Sequence, residues 1–353
     1  LGDVYKRQLL IIIKIYMIYL FPLKTMPLIK KNKYRNPYSP NSKRKLFHYL
    51  LWQTGFYNDH LPSQSIPMGF SYPSPVGKVR KTSYSAVWIN HSSFLLHVDS
   101  ITILTDPIWS ARCSPVSCIG PRRNHAPPLQ LSELSQVDMV LISHDHYDHL
   151  DSYSIDELYK CFPNIIWVVP KGVASWFHKR GIKKTIELSW WHSKTIHFPK
   201  TSLKIEVTAV PAQHFSGRGL FDHNKTLWCG FVATIFRNNT VDRKFYFVGD
   251  TGYNEKIFHE IGQHFGKMNL SLIPIGTYLP KRFMSPVHID PEQAVKIHRE
   301  VHSSLSIGMH WYTFRLSEEK RLQPAYDLWL AMQKAKLDPL SFRAILPGNT
   351  IYW

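Results

Sequence analysis

The stretch "SHDHYDHLD" (residues 143–151) sets three histidines and two aspartates within six consecutive positions, His144 to His149. Imidazole and carboxylate are the donors that hold transition metals. His144 and His146 project to the same side of an extended backbone, and Asp148 and His149 follow in a turn. One short loop can therefore aim four donors at two neighbouring points. Zinc takes about four ligands, and a catalytic ion keeps one place for water, so further donors must come from other parts of the chain.

Those donors stand at the ends of apolar runs. Asp106 ends "ITILTD", His144 follows "VDMVLIS", His214 follows "IEVTAVPAQ", Asp250 ends "FYFVGD" and His310 ends "LSIGMH". The runs read as buried strands, and their polar ends converge if the strands share one rim of their sheets. Counting ligands then gives a closed set for two zinc ions. His144, His146 and His214 hold the first, Asp148, His149 and His310 the second, and Asp250 bridges them, with an activated water between. Such a site carries about one net positive charge, which favours an anionic substrate such as a phosphodiester. Taken singly, His214 also reads as a surface loop residue, His310 as a hydrogen-bonded core histidine and Asp250 as a turn cap.

Around this set, Asp106 reads as a group that orients a ligand imidazole, or as a turn former before Pro107. Expected catalytic groups are the carboxylates Asp148 and Asp250, with His288 protonating the leaving group or holding the phosphate. Expected substrate contacts are Arg218, Tyr147 and His288, against the plainer readings of a solvated surface arginine, a packing tyrosine and a histidine bonding the helix entry.

Further strands are expected in "SAVWIN", "SFLLHV", "NIIWVVP" and "LWCGFVATIF". Helices are expected in "SIDELYKCF", "GVASWFHKRG", "NEKIFHEIGQHF" and "PEQAVKIHREV", the last opened by Asp290, Pro291 and Gln293 in a capping-box pattern. Strands in pairs, then strand and helix alternating, predict an α/β protein with sheets covered by helices on their outer faces. Residues 84–353 read as the hydrolase domain, and 1–83 as an apolar and basic segment followed by a Pro/Ser-rich linker. Aromatic loops such as "IELSWWH" and "SGRGLF" would form the lip of a lipid groove.

The 353 residues carry a formal charge of +18, which points to an anionic partner: a phospholipid surface, a phosphorylated substrate or nucleic acid. Lys24, Lys30, Lys31, Lys33, Arg35, Lys43, Arg44 and Lys45 follow the apolar run 9–23 with no acid among them. That run falls short of the roughly 20 residues a bilayer span needs, and Lys14 interrupts it, so peripheral association with an anionic membrane is expected. A solvated basic tail is the plainer alternative. Cys113, Cys118, Cys161 and Cys229 lack paired zinc-ribbon spacing and suit an intracellular, reducing compartment. No nucleic-acid-binding module stands out, and a homodimer is compatible with the chain.

The loop His144, His146, Asp148, His149 resembles the signature of the metallo-β-lactamase superfamily. Within it the chain resembles the N-acyl-phosphatidylethanolamine-hydrolysing phospholipase D family. The stretches are "WINHSSFLLHVDSITILTDPIWSARCSP", "LISHDHYDHLD", "PAQHF", "FVGDTGY", "LIPIGTYLPKRFM", "HIDPEQAVKIH" and "MHWYTF", from about residue 84 onward, with a looser likeness at "YRNPYS". The resemblance implies an αββα sandwich, two zinc ions on the seven donors named above, and hydrolysis of N-acylated phosphatidylethanolamine to phosphatidic acid and an N-acylethanolamine. It also places a functional histidine at His288. Iron or manganese would suit the same donors. Two positions depart from the family pattern: Asp145 stands where asparagine is usual, and Val287 where glutamine is. The competing readings are a nuclease or a lactonase-type hydrolase on the same scaffold, and a non-catalytic lipid- or metal-binding module.

Overall fold

The strand runs are apolar without interruption because both of their faces are covered. In Met139–Leu141, Met139 and Leu141 enter one core and Val140 another, and in Ile166–Pro170 the residues Trp167 and Val169 are set against Val168 in the same way. A computed structural model describes residues 27–30, 32–38, 65–75, 82–198, 201–219 and 221–353. The apolar run 9–23 and Lys24, Lys31, Lys43, Arg44 and Lys45 lie outside the described residues.

Two seven-stranded sheets make up the inner layers. One runs in the order Thr350–Tyr352, Tyr84–Asn90, Ser93–Val98, Ile101–Thr105, Met139–Leu141, Ile166–Pro170, Thr185–Leu188. The other runs Phe342–Arg343, Ser306–Met309, Leu270–Pro274, Thr240–Phe247, Gly230–Arg237, Leu203–Val210, Ser193–His197. Each combines an antiparallel meander with parallel pairs. Parallel neighbours need a crossover, and helices supply it. Ser152–Cys161 and Ala174–His178 pack Ile155, Leu158 and Phe177 on the outer face of the first sheet. Glu255–Phe265, Pro291–Glu300 and Gln323–Lys334 bring Phe258, Ile297 and Leu328 to the second. The result is an αββα sandwich, whose inner core joins Trp88, Phe94, Ile103 and Leu141 of one sheet to Val207, Phe231, Phe245 and Leu272 of the other.

The helix at Pro291 starts as its sequence indicates. Asp290 accepts from the Gln293 backbone N–H at 2.9 Å, and the Gln293 side chain accepts from the Asp290 N–H at 3.1 Å. Gln323–Lys334 was not expected, because Leu322 precedes it with no capping side chain. The "IELSWWH" stretch is not a free loop. Thr185–Leu188 is an edge strand, and Trp190 is fully buried with its indole N–H on the Trp228 carbonyl. Residues Leu28–Lys30 and Lys33–Arg35 pair as a hairpin that lays Tyr34 on the main core. Among the described residues, no helix is long and apolar enough to cross a membrane.

Candidate metal centre

Every polar residue singled out at a strand end lies at one rim of the sandwich, because Ile101–Thr105 and Met139–Leu141 run parallel in one sheet, Thr240–Phe247, Leu270–Pro274 and Ser306–Met309 in the other, and Leu203–Val210, two antiparallel pairings from Thr240–Phe247, shares their direction. Glycine permits the close approach. Gly249 has φ +67°, and a Cβ on it would sit 2.8 Å from the Ser143 Cβ and 3.0 Å from the Cys229 carbonyl oxygen. The chain can thus bring Asp250 directly against the 143–149 loop.

The donors fall into two groups around one carboxylate. His146 Nδ1 lies 2.8 Å from His144 Nε2 and 3.3 Å from His214 Nε2. Asp148 Oδ2 lies 3.4 Å from His149 Nε2 and 3.5 Å from His310 Nε2. Oδ2 of Asp250 stands between the groups, 3.2 Å from His310 Nε2, 3.3 Å from His149 Nε2 and 3.7 Å from His214 Nε2. All seven residues expected as ligands are therefore brought together. His288 joins them from the side, its Nδ1 3.9 Å from Asp250 Oδ2 and its side chain partly open to solvent.

The ring nitrogens that face outward are engaged, which turns the Nε2 atoms inward to the centre. His149 Nδ1–H is donated to Asp106 Oδ2 at 2.6 Å, and His214 Nδ1–H to the Val287 carbonyl at 2.9 Å. His144 Nδ1 meets the Ser143 hydroxyl at 2.9 Å, and that hydroxyl donates to Asp106 at 2.5 Å. His310 Nδ1 pairs with the Thr277 hydroxyl at 3.1 Å. Ligand histidines are oriented by outer partners of this kind. The backbone at the rim takes up unusual conformations to place them. Asp106, Thr277 and His310 have φ of 31°, 66° and 62°, a region non-glycine residues rarely adopt.

The electrostatics call for a cation. Burial opposes the charge on Asp148 and Asp250, yet the imidazoles around them, His149 with His310 and, at Asp148, His91, together outweigh it and hold both carboxyls well below the usual range. Burial opposes protonation of His310, but Asp250 and Asp148 together push it up to about 9. Burial, together with His149 in the case of His144, keeps His144 and His214 neutral. Meanwhile the buried Nε2 atoms of His149 and His310 and Oδ1 of Asp250 have no hydrogen-bond partner. Buried polar atoms without partners are costly, and a divalent ion would satisfy them together with the carboxylate charge. The residues present fit a divalent metal.

Asp106 spends its carboxylate on Ser143 and His149, as an orienting group does. Two expectations need correction. Arg218 donates to the carbonyls of Asp145 and Leu150 at 2.9 and 2.6 Å, and its guanidinium lies 4.1 Å from the Tyr147 ring centroid. Tyr147 in turn donates its hydroxyl to the Arg218 carbonyl at 2.8 Å. Arg218 is engaged with the metal loop's own carbonyls and Tyr147 with the Arg218 carbonyl, so the pair braces the loop. Asp145 points away from the donors, accepting from the Gly217 N–H and the Thr226 hydroxyl at 2.7 Å each, while its charge still acts on His146. Val287 serves through its carbonyl, which no side-chain change removes.

Several contributors were not singled out from sequence. Asn36, inside "YRNPYS", grips the backbone of His214, donating to its carbonyl at 2.8 Å and accepting from its N–H at 3.2 Å. Thr277, Ser143 and His91 carry no ligand spacing, and only the fold brings them to the rim. A cavity of about 400 Å³ opens beside His310, lined by Thr277, Tyr312, Phe314 and Arg321 among others.

Residues 102–311 match the beta-lactamase superfamily domain. The chain is 40% identical over 245 residues to N-acyl-phosphatidylethanolamine-hydrolyzing phospholipase D 1 of Caenorhabditis elegans, covering 68% of this chain and 67% of that one. It is 37% identical to the mitochondrial N-acyl-phosphatidylethanolamine-hydrolyzing phospholipase D of Saccharomyces cerevisiae, over 68% of this chain and 50% of the yeast protein. Among solved structures, a metallo hydrolase from Ignicoccus hospitalis superposes with a TM-score of 0.53 at 20% identity, covering 77% of this chain and 99% of that one. An isothiocyanate hydrolase from Delia radicum gut bacteria gives 0.57 at 17%, covering 76% and 98%. These two likenesses concern the fold alone. The chain belongs to the metallo-β-lactamase superfamily and, within it, to the N-acyl-phosphatidylethanolamine-hydrolysing phospholipase D family of metal-dependent hydrolases.

Proposed function

We propose that the chain hydrolyses N-acylated phosphatidylethanolamine at two zinc ions, one held by His144, His146 and His214, the other by Asp148, His149 and His310, with Asp250 shared. The observation that supports this most directly is the single oxygen Asp250 Oδ2, which lies within 3.7 Å of ring nitrogens from both groups. A bound pair of ions would supply an ionised water as nucleophile and neutralise the phosphoryl oxygens. The bond from phosphorus to the N-acylethanolamine oxygen breaks, the water oxygen stays on phosphorus, and phosphatidic acid is the second product. The leaving alkoxide needs a proton. His288 is placed to deliver it, being at the edge of the cluster and partly open to solvent. Asp106 and Thr277 hold His149 and His310 so that their bare nitrogens face inward.

On this reading residues 84–353 form the catalytic domain, with the hairpin near Asn36 fastened onto it. Peripheral contact with an anionic membrane is supported by the exposed Val116, Ile119, Tyr153 and Phe221. Arg112 and Arg180 line a cavity of about 430 Å³ beside Val116 and Tyr153. Basic groups beside apolar loop tips suit a phospholipid surface.

The test is direct. Protein of known zinc content is incubated with N-acylated phosphatidylethanolamine vesicles and, separately, with RNA. Release of N-acylethanolamine and phosphatidic acid, lost on chelation and restored by zinc, is the expected result. Consumption of RNA with the lipid left intact overturns the reading in favour of a nuclease.

A further inference from the structure

His91 lies in the turn between the strands Tyr84–Asn90 and Ser93–Val98 and is fully buried. Its Nε2 is 3.0 Å from Asp148 Oδ2, the same oxygen that faces His149 and His310. Three backbone contacts fix it. The His91 N–H is donated to the Thr313 hydroxyl at 2.8 Å, and its carbonyl accepts from the Trp88 indole and the His310 N–H, each at 2.9 Å. The ring lies 4.0 Å from that of His310, and the edge of Phe314 closes it at 5.3 Å.

The ring's outer nitrogen sets it apart from the residues assigned as ligands. His144, His149, His214 and His310 each turn Nε2 inward, toward His146 or the two carboxylates, and engage Nδ1 outward. In His91 the inward nitrogen meets a carboxylate oxygen, while the buried Nδ1 has no partner. A metal-bound Nε2 would force the ring proton onto Nδ1, where no acceptor waits, whereas ligand histidines almost always donate that proton. A carboxylate only accepts, so the ring proton belongs on Nε2.

We propose that His91 is a positioning residue that donates its Nε2–H to Asp148 and so holds this carboxylate toward the second ion, without binding the ion itself. The inference rests on the two-ion reading above. It predicts a lesion confined to one ion, since neither Asp106 nor the His144, His146, His214 group touches His91 through a hydrogen bond.

The experiment compares wild type, His91→Phe, which keeps a ring against His310 and Phe314, and His91→Gln, which restores a donor near the Nε2 position. Metal bound per chain is measured across a chelator series, with the Co(II) absorption spectrum as a second readout and the apo-protein melting temperature as the folding control. His91→Phe is expected to hold the first ion as wild type does and the second roughly 10–100-fold more weakly, with His91→Gln recovering most of the loss. Full retention of both ions by His91→Phe overturns the inference. So does equal weakening of both ions, or loss of the second ion in both variants alike, which would make His91 a ligand. Wild type binding one ion overturns the two-ion reading itself, and this inference with it.

Discussion

Asp106 accepts the Nδ1–H of His149 at 2.6 Å and the hydroxyl of Ser143 at 2.5 Å, and that hydroxyl touches Nδ1 of His144. One buried carboxylate thus orients a ligand from each half of the centre. Both contacts fall on Oδ2, while Oδ1 accepts the Ser143 N–H at 2.7 Å, so Asp106→Asn must set its NH2 group either against that N–H or against His149 and the Ser143 hydroxyl. Both ions should bind more weakly by roughly 10–100-fold, and lipid hydrolysis should fall with them. Elemental analysis after graded chelation checks this, and loss of one ion only would contradict the shared role.

Asp145 tests whether a carboxylate charge is needed beside the ligands. Its two oxygens receive the Gly217 N–H and the Thr226 hydroxyl. An asparagine can accept from the first and donate to the second once the hydroxyl turns, so Asp145→Asn should change unfolding stability by less than about 1 kcal/mol. Asp145→Ala strands both donors and should cost about 2–4 kcal/mol in a urea titration. A large loss in the Asn variant would show that the charge itself matters.

What could be read in the sequence was whatever a continuous pattern carries. Uninterrupted apolar runs announced strands covered on both faces, and the donors ending them needed only a common rim to meet. Asp290 with Gln293 announced a helix start through backbone geometry alone. His91, Thr277 and Asn36 were not legible as site residues, since each acts on a residue at least 33 positions away. Arg218 misled for a related reason: its type suits phosphate, but only the fold shows it buried against the loop's own carbonyls. Of the two tryptophans in "IELSWWH", which can be read either as a groove lip or as core, Trp190 is core, and only the fold separates it from its half-buried neighbour Trp191.

His288 should separate chemistry from metal binding. Its side chain touches the cluster at Asp250 from the open side. His288→Ala should lower kcat by about 10²–10⁴-fold with both ions retained, the range expected when a general acid is lost. Substrates with a more acidic leaving group should lose less, because they need the proton less. Equal losses for all leaving groups would assign His288 to holding the phosphate, and full activity would remove it from the mechanism.

His298 gives a pH dependence that lies outside the metal centre. It is buried on the helix Pro291–Glu300, where Nδ1 meets the Ser306 hydroxyl at 2.8 Å and the ring faces Phe342. Burial, with Arg299 adding to it, lowers its pKa from 6.5 to about 4. Above pH 6.5 the ring is neutral in folded and unfolded chains alike and contributes nothing to pH dependence. As pH falls below 6.5 the unfolded chain takes up the proton first, so folded stability drops, by about 3 kcal/mol in total once pH 4 is reached. His298→Gln can keep a hydrogen bond to Ser306 and does not titrate. In paired denaturation curves at pH 7.5 and 5, the metal ligands titrate in both chains and cancel in the difference. The Gln variant should therefore gain on wild type as pH falls, and a gap that stays constant between the two pH values would show that the buried ring is not the source.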